Sequence, residues 1–282
     1  MALLTKQTRL RQTPKNKTKT DDKRFCKHFI FWNHLDVLRG TIIKIALATV
    51  VCSVLAFFLK DELFAIILAP KDSHFITYQL IDNMGRWFGA DGMEAFSVNL
   101  VNTGLAEQFA IHMKVALYVG ALVASPYTLY LLVGFISPAL YANEKRYTYP
   151  VVIGGYVMFV IGMALNYFLI FPFTLRFLGT YQVSGEVANM ITLQSYMDTM
   201  LMMNIMLGIL FELPIVCWLL GKLGFLTSAF MRHYRRHAIV AIFIVAAVIT
   251  PTSDVFTLTI VALPIWLLYE VSILLVPKDT NS

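Results

Sequence analysis

Long apolar runs recur along this chain, and that recurrence leaves few folds open. As a helix rising about 1.5 Å per residue, roughly twenty such residues cross a hydrocarbon layer of about 30 Å. Inside lipid only helices and closed barrels satisfy their own backbone groups. The runs are continuous rather than alternating with period two, which argues against a barrel. Only 14% of the 282 residues are charged, where a soluble domain carries about a quarter. The chain therefore reads as all-α, a polytopic membrane protein forming one bundle with short connections.

Six segments are expected. The first runs from about Thr41 to Leu59, followed by a polar stretch from Lys60 to Gly104. The glycines, Pro70 and scattered aromatics of that stretch read as short interfacial helices joined by turns. The second runs from about Leu105 to Phe135, with Pro126 expected to bend it. The third, Tyr149 to about Leu178, carries Gly154, Gly155 and Gly162, which permit close backbone approach. The fourth, about Tyr196 to Leu220, has a late Pro214. Ala238 to Ile249 is only about a dozen apolar residues, short for a crossing, and Val255 to Val276, interrupted by Pro264, completes a C-terminal hairpin with it. No internal repeat is visible.

Basic residues set the orientation. Lys145 and Arg146 in the second connection, and Lys222, Arg232, Arg235 and Arg236 in the fourth, fall on the same side as the basic N-terminal tail. The first connection sets Lys71 and Arg86 against Asp61, Glu62, Asp72, Asp82, Asp91 and Glu94, and the third holds Glu186 with no basic residue between Leu178 and Tyr196. Both ends are thus expected in the cytoplasm. Residues 1–28 lack the apolar core of a signal peptide and read as a disordered basic tail, 29–276 as the membrane domain and 277–282 as a short cytoplasmic tail. The tail lysines suit anionic lipid, and no nucleic-acid partner is expected because nothing aromatic or folded accompanies them.

Glu212, bracketed as Phe211-Glu212-Leu213-Pro214, is the most costly polar group. An ionised carboxylate at mid-span costs about 2.5–3.5 kcal/mol on insertion scales. It must be hydrated, paired or protonated. Lys114 is either its partner or a side chain that snorkels to the interface. Asn166, Asn204, Gln108 and Gln194 add polar groups in or near spans, the two asparagines as glue between helices. Glu270 is expected to pair with a loop arginine. His34-Leu35-Asp36-Val37-Leu38-Arg39 opens the first helix, with Asp36 expected in a first turn that favours an anion. The connection from Phe135 to Arg146 reads as a rigid turn that holds Glu144 beside the membrane.

Catalysis is not expected. Cys26, Cys52 and Cys217 share no ligand-like spacing, the six histidines are dispersed, and no serine or cysteine stands near a base within one element. No cofactor or metal is implied.

Beyond bulk physics, an ordered set of residues spans about Phe31 to Leu275. It comprises His34-Leu35 with Leu38-Arg39; Glu107, Phe109 and Lys114; Ser125-Pro126; Phe135 to Tyr141 with Glu144-Lys145-Arg146; Gly162 with Tyr167-Phe168 and Pro172; Phe211-Glu212-Leu213-Pro214; Thr250-Pro251 with Asp254; and Pro264 with Tyr269-Glu270. In these the chain resembles the TatC family, the multi-spanning subunit of the twin-arginine protein translocase. The resemblance implies a six-helix concave bundle with two short C-terminal helices in the bacterial inner membrane. It implies a receptor, within a multimeric complex, for folded precursor proteins whose signal peptides carry paired arginines. TatA- and TatB-like single-span partners and the proton-motive force are implied with it.

By the same resemblance, signal reading falls on Glu144 beside Lys145 and Arg146, with His34, Leu35 and Arg39 contributing. The family acid of that helix start usually stands where this chain has Val37; Asp36 lies one position earlier, turned by about 100°. Leu131-Leu132-Val133 replaces the glutamine and tryptophan common in relatives, and one extra residue stands between Pro251 and Asp254. Glu212 corresponds to the carboxylate facing the concavity, with Lys114, Gln108, Glu107 and Asp254 as further polar or partner contacts. The alternative from the residues alone is a proton-coupled carrier using Glu212, which would favour an internal repeat and a second intramembrane acid. A reporter active only outside the cytoplasm, fused after Thr252, is expected to be active; a cytoplasmic signal there rejects the six-segment orientation.

Overall fold

The computed structural model describes residues 18–87, 98–136, 148–181, 190–250 and 254–277. These are overwhelmingly helical. Five helical stretches are long and apolar enough to cross a membrane: Leu35–Phe57, Glu107–Phe135, Tyr149–Thr180, Leu193–Lys222 and Val255–Leu275. The 15-residue α10, Arg235–Ile249, is the short one, about 22 Å long at about 1.5 Å per residue. A normal crossing needs about 30 Å.

The first helix, α1, spans Thr18–Phe57. It thus begins inside the stretch expected to be a disordered tail, because no proline or glycine interrupts the chain between Thr18 and Gly40. Contacts divide the chain into residues 1–44 and 45–282. In the first unit the Thr41 hydroxyl donates to the Val37 carbonyl at 2.9 Å.

In the second unit, α2 (Lys60–Leu68), a 3-10 turn (Ala69–Lys71) and α3 (Ile76–Trp87) form the short helices expected after the first span. Then come α4 (Glu107–Ile136), α5 (Thr148–Leu165), a π-helical turn (Asn166–Ile170) and α6 (Phe171–Thr180). The fourth span is two helices, α7 (Leu193–Phe211) and α8 (Leu213–Lys222); α9 (Ser228–His233), α10 and α11 (Val255–Leu275) close the chain. Two short strands, β1 (Leu100–Val101) and β2 (Ile191–Thr192), pair in parallel, Leu100 opposite Ile191 and Val101 opposite Thr192. We call the end of the spans that carries this pair and α2–α3 the capped end.

Three prolines show how the sequence supplies hydroxyl donors to backbone carbonyls. Proline cannot donate to the carbonyl four residues upstream. In each case that carbonyl accepts a hydroxyl, the Ile66 carbonyl in addition to the Ala69 amide. The carbonyl of Leu122, upstream of Pro126, accepts from Ser125 Oγ at 2.7 Å. That of Ile66, upstream of Pro70, accepts from Tyr167 Oη at 2.7 Å, and that of Phe168, upstream of Pro172, accepts from Thr77 Oγ1. Two further tyrosines extend the pattern: Tyr196 Oη donates to the Ile67 carbonyl at 2.9 Å, and Tyr78 Oη bridges the carbonyls of Pro172 at 3.0 Å and Pro70 at 3.2 Å. Desolvation raises the pKa of the Tyr78 phenol, keeping it a neutral donor.

The centre of the unit is the contact of α5 and its π-turn with α7. Met197, Met200, Met203 and Leu207 of α7 are fully buried, and Phe171 meets Tyr196 edge to face at 5.1 Å. Asn166 Nδ2 donates to Asn204 Oδ1 at 3.0 Å in a buried site, the glue expected of these residues. Gly162 is required for the approach: a Cβ there would lie 2.8 Å from the Leu207 carbonyl oxygen and 2.9 Å from Phe211 Cβ.

Gly162→Ala is therefore expected to lower the melting temperature of the detergent-purified chain, because the obstructing atoms are backbone and side-chain root. Asn204→Ala should cost about 1 kcal/mol, in the range of interhelical hydrogen bonds in membranes. Unfolding curves of both variants check this.

Candidate functional site

The residues singled out in the sequence fall into separate places. Glu144, Lys145 and Arg146 lie outside the described residues. Leu35, Asp36 and Arg39 are exposed on α1, and His34 belongs to the same helix. Because α1 starts at Thr18, Asp36 is not in its first turn, and the favourable amide dipoles expected there do not reach it. Asp36 and Arg39 still share a helix face by their spacing.

Glu212 stands at the joint of α7 and α8, with φ −74° and ψ −14°. Its amide donates to the Ile209 carbonyl at 3.1 Å, and its own carbonyl accepts the amides of Ile215 and Val216 at 3.1 and 3.0 Å. The joint follows from Pro214, the second residue of α8, which has no amide to bond Leu210. The 10 residues of α8 put Glu212 about 15 Å from the Lys222 end at about 1.5 Å per residue, well inside the span. The side chain is half-buried, and Oε1 is buried without a hydrogen-bond partner among the described residues. Its carboxylate lies against the backbone of α5 at Gly155.

Lys114 does not pair with Glu212. It meets Asp198 of α7 at 2.5 Å, both side chains nearly half-exposed. Sequence reading missed Asp198; the signal available was an acid just after Tyr196, near the same end of its span as Lys114.

Glu107, the first residue of α4, ties the capped end together. Its Oε2 accepts the amides of Gly104 at 2.7 Å and Thr103 at 3.2 Å, and Oε1 accepts the Gln194 amide at 3.1 Å. Gln194 lies in the first turn of α7, where amides lack helical partners. One carboxylate thus joins the connection before α4 to the start of α7, beside the β1–β2 pair. Thr192 caps the same helix, accepting from the Ser195 amide at 3.2 Å. Gln108 is exposed beside it. Asp254 is the N-cap of α11, its Oδ2 accepting the Thr257 amide at 2.7 Å.

At the opposite end Glu270 pairs with Arg235 at 2.5 Å, as expected of it. Tyr269 Oη donates to the Met231 carbonyl at 2.8 Å, so α11 is fastened to both α9 and α10. Among the described residues no group of three or more His, Cys, Asp or Glu side chains could hold a metal.

The family model described as "Sec-independent protein translocase protein (TatC)" matches residues 33–264. The chain is 34% identical over 244 residues to the Sec-independent protein translocase protein TatC of Desulforapulum autotrophicum, covering 86% of this chain and 83% of that one. It is 32% identical over 244 residues to the same-named protein of Deinococcus radiodurans, with coverage of 86% and 84%. A crystal structure of the twin arginine translocase receptor TatC aligns with a TM-score of 0.69 at 32% identity, covering 86% of this chain and 97% of that one. A second, described as TatC in DDM, aligns at 0.71 and 31%, covering 86% and 99%. With its apolar helices and its match along most of its length, the chain is a multi-pass membrane protein that belongs to the TatC family of Sec-independent protein translocase proteins.

Proposed function

We propose that this chain is the receptor of a twin-arginine translocase, reading paired arginines of signal peptides at the cytoplasmic face of a bacterial inner membrane. With TatA- and TatB-like single-span partners it moves folded proteins, driven by the proton-motive force. The observation that carries this reading is the match over 86% of the chain to a solved structure described as the twin arginine translocase receptor.

Glu144 is the principal reader. A carboxylate beside the membrane can accept a directed, bidentate pair of hydrogen bonds from a guanidinium. His34 and the exposed Leu35, Asp36 and Arg39 of α1 also contribute to reading the signal peptide, as do Lys145 and Arg146, which follow Glu144 in the chain. In this orientation the Arg235–Glu270 pair lies on the cytoplasmic side and the Glu107 link outside. Glu212 serves the step within the bilayer, offering a polar contact to a single-span partner.

The test is site-specific cross-linking of a twin-arginine precursor in native membranes. A charge-assisted pair contributes about 1.5–3 kcal/mol, so Glu144→Ala should weaken capture by roughly tenfold or more, and Glu144→Lys further. Undiminished capture in both variants rejects the role. Glu107→Ala should leave capture intact but reduce completed transport, because it loosens the link between two outer connections; transport at the unsubstituted level would contradict that.

A further inference from the structure

Two neighbouring glycines of α5 differ from Gly162 in what they face. At Gly154 a Cβ would sit at an ordinary 3.6 Å from Ile215 Cδ1. At Gly155, which is buried, it would lie 2.9 Å from Glu212 Oε2 and 3.2 Å from Oε1, and its three nearest atoms all belong to that carboxylate group. The volume that a side chain at 155 would occupy is the volume the carboxylate occupies.

Other restraints on the carboxylate are weak. Oε1 has no hydrogen-bond partner among the described residues, and Lys114 is engaged by Asp198. The backbone at the joint is held by the bonds of Glu212 to Ile209, Ile215 and Val216, so only side-chain torsions decide where the acid points.

We propose that Gly155 is a positioning residue for Glu212: its missing Cβ forms a seat on α5 that holds the carboxylate at the α7–α8 joint. The inference rests on Glu212 being the contact within the bilayer, and adds the residue that sets its position. It also separates two uses of glycine on one helix. At Gly162 the obstructing atoms are the Leu207 carbonyl oxygen and the Cβ and Cγ of Phe211, at or next to the backbone, whereas at Gly155 they are the far end of a flexible side chain. Gly155→Ala should therefore fold normally, aided by the higher helix propensity of alanine, and displace the acid.

The test uses the full chain purified in detergent and dicyclohexylcarbodiimide, an apolar reagent. A carboxylic acid adds across its C=N bond, the carboxyl oxygen to carbon and the proton to nitrogen, and the adduct rearranges to a stable N-acylurea that mass spectrometry locates. Glu212→Gln should abolish the modified peptide, assigning the signal. Gly155→Ala is expected to raise the initial labelling rate of Glu212 several-fold with an unchanged melting temperature. In a Glu212→Asp background the shorter acid falls short of the seat, and Gly155→Ala should make no difference. Equal rates in the unsubstituted chain and Gly155→Ala, or the same rise in the Asp background, overturn the inference. A several-fold rise with full export of a twin-arginine precursor keeps the seat and removes the transport role of Glu212.

Discussion

A carbonyl without a donor inside a membrane has no water to turn to, and much of this structure follows from that constraint. A buried unpaired backbone group costs about 1–3 kcal/mol, yet the chain places Pro126 and Pro172 within spans, each removing a helical donor. The replacement donors are hydroxyls. Ser125 repairs its own helix, whereas Thr77 does so across helices, and Tyr167 adds a second donor to the Ile66 carbonyl, which already accepts the Ala69 amide. A bond that repairs a carbonyl from another helix also docks that helix. Through these bonds, and those of Tyr78 and Tyr196, α2 and α3 are anchored to the π-turn and to α7.

That anchoring stabilises the α5–α7 contact, where the candidate site lies. The same two elements share the Asn166–Asn204 bond, the close approach at Gly162 and the carboxylate of Glu212 over Gly155. Pro214 acts in the opposite sense to Pro126 and Pro172. It divides the span into α7 and α8 and leaves Glu212 at the joint. A carboxylate at that depth is costly in an unbroken lipid-facing helix; here it is half-buried against an adjoining backbone.

The spans were legible because membrane crossing depends on local composition, which a sequence states directly. The short α10, the asparagine bond and the Arg235–Glu270 pair were readable for a similar reason, since each follows from residue type and place along the chain. The start of α1 was misread, because a basic composition suggested a tail while the absence of proline and glycine let the helix extend back to Thr18. Lys114 with Asp198, and Glu107 with Gln194, join residues more than eighty apart, 84 and 87 positions respectively. Such pairings depend on which helix faces face each other, and one sequence does not specify that. Gly155 was visible as a small residue, but its relation to a particular carboxylate exists only in the packed form.

The proposed function rests on a division of labour. In the proposed reading, recognition belongs to a charged surface outside the bilayer core, and Glu212 to the contact with a partner within it. The most direct measurement is binding of a twin-arginine signal peptide, and of its twin-lysine counterpart, to the unsubstituted chain in lipid vesicles. Lysine keeps the charge but cannot form the bidentate bonds of a guanidinium. The account predicts saturable binding of the arginine peptide and markedly weaker binding of the lysine peptide. Equal affinity for both, or no binding of either, would contradict it.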